Sequence, residues 1–214
     1  KASGTARLPV TKIKLCGLKR TCDIEWANAL NPDYVGFIFA KNSRRCVTPG
    51  EAGKLKAILH PSIQAVGVFV NEAPEVIAEL AASGAIDLLQ LHGSEDETYL
   101  ECLRRIVNVP VVQTFRITSG EDVRRAQESS ADMVLLDAGA GCGEVFDWSL
   151  LQDIRRPYIL AGGLTSQNVA DALERLQPYG VDASSSLETD GYKDQEKMEA
   201  FVEAVRGRET DHGR

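Results

Sequence analysis

Tyr158-Ile159-Leu160-Ala161-Gly162-Gly163-Leu164 and Gly180-Val181-Asp182-Ala183-Ser184-Ser185-Ser186 decide how this chain is read. Each is a short apolar run, the length of one strand, that stops in residues with little or no side chain. About one strand-plus-helix unit separates them. Glycine and serine at such ends let backbone N–H groups approach an anion closely, and the loops after the last two strands of a (β/α)8 barrel commonly bind phosphate this way. Gly162, Gly163, Ser184 and Ser185 are therefore the expected phosphate-binding residues.

Outward from this pair, strand-like runs recur at Lys12 to Cys16, Tyr34 to Phe39, Ala65 to Val70, Leu88 to His92, Val109 to Phe115 and Met133 to Asp137. Most begin about 20 to 25 residues apart, room for one strand, one helix and two short loops. Helical patterns fill the gaps: Asp23 to Ala29, one opened by Thr48-Pro49, Ala73 to Ala82, Glu95 to Ile106, Gly120 to Glu128, a short one after Trp148, Ser166 to Leu176 with Ser166 as its cap, and Gln195 to Val205. Eight alternations predict an α/β chain folded as a single (β/α)8 TIM barrel over 10–207, with loose polar tails at 1–9 and 208–214.

Composition narrows the function. Of 214 residues, 43% are hydrophobic and 26% charged, which fits one buried core and leaves no stretch long enough to span a membrane. A net charge of −7 without a basic cluster argues against a nucleic-acid partner. The five cysteines are scattered without CxxC spacing, so neither a disulfide framework nor a metal site is expected, and a cytoplasmic location follows.

Chemistry in such a barrel belongs at the C-terminal ends of the strands, where Cys16, Asn71, Gln90, His92 and Asp137 stand. The ordered set Lys14-Leu15-Cys16-Gly17, Val35-Gly36-Phe37-Ile38-Phe39, Val66-Gly67-Val68-Phe69-Val70-Asn71, Leu89-Gln90-Leu91-His92-Gly93, Leu135-Leu136-Asp137, Phe146-Asp147-Trp148 and Ala161-Gly162-Gly163-Leu164, with Val181-Asp182-Ala183-Ser184-Ser185, closely resembles the phosphoribosylanthranilate isomerase family of tryptophan biosynthesis. The resemblance covers nearly the whole chain. It implies a ribulose-phosphate-binding type of barrel, a phosphosugar substrate and an Amadori rearrangement that needs no cofactor. Cys16 falls at the family's general base, Asp137 at its general acid, and Arg45 in Lys41-Asn42-Ser43-Arg44-Arg45-Cys46-Val47 at its substrate-carboxylate ligand. Arg44 is then expected to be solvated. Alternation puts Lys14 on the face of Cys16, where its charge favours a thiolate. Gln90, His92 and Asp182 are supporting candidates, with His92 read as a structural hydrogen-bonder. A mobile loop over Gly139 to Gly143 is expected to close on substrate.

Three departures stand out. The family's Gly-Gly-Ser/Thr-Gly-Lys after strand 6 is here Ala140-Gly141-Cys142-Gly143-Glu144, and a threonine usual after the first motif is replaced near Lys19. The usual Ser-Ser-Gly-Val-Glu is Ser184-Ser185-Ser186-Leu187-Glu188, so Ser186 is expected to be strained if the family glycine has φ > 0. Two other readings remain open. One is a lyase of the adjacent pathway step, which would need a lysine and glutamate pair at strand ends. The other is a catalytically degenerate phosphate-binding barrel, or the partner domain of a fused or neighbouring tryptophan-pathway enzyme.

Overall fold

The computed structural model describes residues 10–139 and 148–211, the side chains of 208–211 excepted. β1 (Lys12–Cys16), β2 (Tyr34–Ile38), β3 (Gln64–Phe69), β4 (Leu88–Leu91), β5 (Val111–Arg116), β6 (Met133–Asp137), β7 (Tyr158–Ala161) and β8 (Gly180–Ala183) pair in parallel in sequence order. β8 then pairs β1, with Lys14 opposite Asp182, and closes the barrel. The expected closed parallel architecture is the one observed. The tail 1–9 and the loop expected to close over substrate, from Ala140 onward, lie outside the described residues.

Strand alternation divides the core in two. Tyr34, Val66, Leu88, Val112, Leu135, Ile159 and Ala161 form one buried cluster, the filling of the barrel. Their neighbours on the strands, such as Val35, Leu89, Leu136 and Leu160, belong to the larger cluster beneath the helices. Parity carries this to the site: Lys14, Cys16, Gln90, Asp137 and Asp182 share strand faces with the interior.

The helices are α1 (Thr21–Leu30), α2 (Pro49–Ile58), α3 (Pro74–Ala82), α4 (Glu97–Arg104), α5 (Gly120–Glu128), α6 (Val169–Leu176) and α7 (Gln195–Asp211). Between β6 and β7 the described element is a 3-10 turn, Trp148–Asp153. Thr48 caps α2 reciprocally with Glu51, and Pro49 fills the first turn. Two expectations are corrected. Ser166 is not the cap of α6, because Thr165 and Asn168 first exchange hydrogen bonds in a turn and the helix begins at Val169. α7 does not stop at Val205, so 208–211, expected in the loose tail, is helical backbone.

A further element lies between β8 and α7. After a 3-10 turn at Ser185–Leu187, β9 (Glu188–Thr189) and β10 (Tyr192–Lys193) form a short antiparallel ribbon. Its turn holds Asp190 and Gly191 at φ 52 and 83, the doubly left-handed conformation that Asp-Gly tolerates.

Candidate active site

Cys16 ends β1, nearly buried at 6% exposure. Its sulfur fits because Gly36 is its neighbour on β2; a Cβ there would lie 2.5 Å from Sγ. Lys14 Nζ, itself buried, donates to Asp182 Oδ1 at 3.0 Å. Burial pushes the Cys16 thiol up and the Asp182 carboxylate adds to this, while the ammonium groups of Lys14 and Lys193 pull the other way without prevailing. For Lys14 burial acts downward, but Asp182 and Cys16 outweigh it and raise its pKa. The free protein therefore holds a neutral thiol beside a charged lysine.

Asp137 ends β6. Its Oδ1 accepts from Gly139 N–H at 3.1 Å, and its Oδ2 lies 3.7 Å from His92 Nε2. His92 Nδ1 is 3.1 Å from Gln90 Nε2, which is also 3.1 Å from Thr114 Oγ1. Gln90 Oε1 is buried without a partner among the described residues. Burial acts to raise the Asp137 carboxyl, but His92, Gly139 N–H and Arg116 together hold it below the usual carboxylate range. Gly162 makes this contact possible, since a Cβ on it would sit 2.0 Å from Gly139 N and 2.5 Å from Asp137 Oδ1.

Arg45 lies on the loop after β2. Its Nε and Nη2 donate to Glu188 Oε1 and Oε2 at 2.5 and 3.0 Å. A guanidinium has a second two-donor edge, here Nη1 with the remaining Nη2 hydrogen, which Glu188 leaves unused and fixes in plane. Arg44 corrects an expectation. Although 60% exposed, it is not merely solvated: its Nη2 donates to Glu188 Oε2 at 2.6 Å. A third cation, Lys193, reaches Glu188 Oε1 at 2.8 Å. Burial acts to raise Glu188, but the hydrogen bonds and charges of Arg45 and Lys193 bring its pKa down to about 2.

At the ends of β7 and β8, Gly162 and Gly163 have φ 94 and 68, conformations that suit glycine. Ser184 Oγ donates to the Cys16 carbonyl at 2.9 Å, so its proton is committed within the protein. Ser185 opens the 3-10 turn. Ser186 is not strained: it is absent from the residues with positive φ, and its Oγ donates to Leu164 O at 2.5 Å. Asn71 does have φ 49, and its side chain accepts from Ser94 N–H and Oγ–H. Lys19, at the replaced threonine, donates to Arg44 O at 2.9 Å. Sequence reasoning assigned no part to Glu188 or Lys193. The available signal was the Asp190-Gly191 hairpin, which carries Lys193 back across the ladder to Glu188.

Barrel and rim together define a (β/α)8 protein with a thiol, a carboxyl and a clamped arginine on loops and strand ends of one face. A family model described as N-(5′-phosphoribosyl)anthranilate isomerase matches residues 13–204, and the chain belongs to that family. An N-(5′-phosphoribosyl)anthranilate isomerase of Endomicrobium trichonymphae is 42% identical over 200 residues, 91% of this chain and 98% of the relative. The crystal structure of phosphoribosyl anthranilate isomerase from Thermotoga maritima superposes with a TM-score of 0.85 at 32% identity, covering 92% of this chain and 99% of that one. Another crystal structure, of such an isomerase in complex with reduced 1-(o-carboxyphenylamino)-1-deoxyribulose 5-phosphate, gives a TM-score of 0.83 at 31% identity over the same shares.

Proposed function

We propose that this protein converts N-(5-phosphoribosyl)anthranilate to 1-(2-carboxyphenylamino)-1-deoxyribulose 5-phosphate, the Amadori step of tryptophan biosynthesis. The observation that carries the reading is Lys14 beside Cys16: a cysteine that only fills a core does not require a buried, ion-paired ammonium two residues before it. In this reading Asp137 delivers a proton to the furanose ring oxygen as the C1′–O bond breaks, leaving a Schiff base. The Cys16 thiolate then removes the C2′ proton, and the resulting enolamine ketonises to the aminoketose.

The free edge of Arg45 takes the anthranilate carboxylate, while backbone N–H groups of Gly162, Gly163, Ser184 and Ser185 take the phosphate. Family membership, together with the geometry of the two strand ends, supports these roles. Lys14 with Asp182 tunes the base. Gln90 orients His92, which faces the acid. No metal or redox group enters the scheme. The reading places the enzyme in the cytoplasm, where free cysteines such as Cys16, Cys22, Cys46 and Cys102 stay reduced, and leaves room for a fused or neighbouring enzyme of the same pathway.

The test follows decay of substrate fluorescence in wild type, Cys16→Ala and Asp137→Asn. Loss of about 10²-fold or more in kcat is expected for each variant. Full activity in either would remove that residue from the scheme, and an inactive wild type would favour the degenerate phosphate-binding barrel.

A further inference from the structure

Lys193 is an ammonium group with a side chain only 1% exposed, on a two-residue strand outside the barrel. Burial lowers its pKa, and Glu188 acts against that. Such a group needs partners. It donates to Ser184 O at 2.9 Å and to Glu188 Oε1 at 2.8 Å, with Ser184 Oγ at 3.4 Å. Ser184 O also accepts from Leu187 N–H at 3.1 Å. Both lone pairs of that carbonyl are thus engaged, and the peptide cannot turn.

A trans peptide is planar, with its C=O and the following N–H on opposite edges, and the described residues contain no cis bond. Holding Ser184 O against Lys193 therefore aims Ser185 N–H the other way, away from Lys193, and Ser185 itself is exposed. We propose that Lys193 is a positioning residue: it fixes the Ser184–Ser185 peptide so that Ser185 N–H faces the substrate phosphate. Glu188 holds Lys193 with the same carboxylate that holds Arg45, so one buried cluster sets the grip on both ends of the substrate. This rests on the reading of the β7 and β8 ends as the phosphate site.

The experiment titrates the full chain with inorganic phosphate and follows the Ser185 amide by NMR, beside KM and kcat, in wild type, Lys193→Met and Lys193→Gln. Methionine removes the donor; glutamine keeps a donor without the charge. Phosphate affinity and KM should each worsen about tenfold or more in Lys193→Met, as expected for a lost charge-assisted hydrogen bond that acts on binding. The value of kcat should fall as well, because the same ammonium draws the Cys16 thiol down, and the titration with inorganic phosphate, which does not involve Cys16, separates the two effects. The Ser185 shift should vanish in that variant, and Lys193→Gln should recover much of both. Met and Gln variants equally weak would overturn the inference in favour of bare charge, and a Met variant that binds like wild type would overturn it outright. Should Lys193→Met fail to fold, the glutamine variant and the wild-type Ser185 shift decide, since phosphate binding without that shift also refutes it. A wild type that turns over substrate but shows no phosphate response at Ser185 sinks only this inference. One that does neither sinks the reading of the site.

Discussion

At the residue scale, the acid and the base begin in the wrong protonation states. The reacting form needs a Cys16 thiolate and a protonated Asp137 together, yet burial pushes the thiol up and the Asp137 carboxyl is held down. Starting from ordinary values near 8.5 and 3.9, that form is already a minority by a factor of about 10⁴ or more. Substrate binding has to shift both, and exclusion of water from Asp137 acts in the right direction. Between the two pKa values the reacting fraction is constant; it falls below that of Asp137 and above that of Cys16, so kcat/KM should be bell-shaped with a wide top. Lys14→Met removes the ammonium that draws the thiol down, so the alkaline limb should move to higher pH while kcat/KM on the plateau drops. An unchanged limb would refute that role. Gly162→Ala should cost at least about 10²-fold in activity and about 1–3 kcal/mol in stability, because the added methyl collides with backbone at Gly139 and forces Asp137 aside; kinetics and thermal unfolding check it.

At the scale of elements, the strands were legible because their apolar runs are as short as the strands themselves and are bounded by turn residues. Met133–Asp137 and Tyr158–Ala161 fall where the sequence puts them. What escaped was decided by contacts distant in sequence. Ser186 looked strained by comparison with a glycine, but the 3-10 turn lets its hydroxyl reach Leu164 O, 22 residues away. Serine here ties the end of β8 to the loop after β7. Ser186→Gly, which restores the family residue, should therefore lower stability by about 1 kcal/mol, a fall in Tm of about 2–4 °C. A more stable glycine variant would show that the strain was real. Cys16 and Asp137 were legible through ordered motifs, whereas the pKa shifts that complicate their roles depend on tertiary neighbours such as Asp182, His92 and Arg116.

For the whole molecule, the cluster of Arg44, Arg45, Glu188 and Lys193 joins the loop after β2 to the ribbon after β8, across 143 residues between Arg45 and Glu188. No local pattern encodes such a meeting. It also makes stability depend on acid. The Glu188 carboxyl ionises at about 2 in the folded state against 4.5 as its ordinary value. Its contribution is complete above the unfolded pKa and is lost as pH falls toward the folded one. The loss is on the order of 2 kcal/mol once solvent screening is allowed for. Denaturant unfolding between neutral pH and acid should show this drop in wild type. Glu188→Gln should show less of it and be less stable at neutral pH by about 3 kcal/mol, since it leaves the buried Lys193 ammonium uncompensated. Equal pH slopes in the two proteins would refute the assignment.

The pair of Lys14 and Asp182 spans the seam between the first strand and the last, 168 residues apart in the chain. While the chain is still being made, Cys16 and Lys14 emerge together and early, but Asp182 and Lys193, which also act on the Cys16 proton, follow only with β8 and β10. Without β8 paired to β1 there is no Asp182 beside Lys14 and no Ser184 hydroxyl on the Cys16 carbonyl, so the surroundings that set the reactivity of Cys16 are complete only when the barrel is closed.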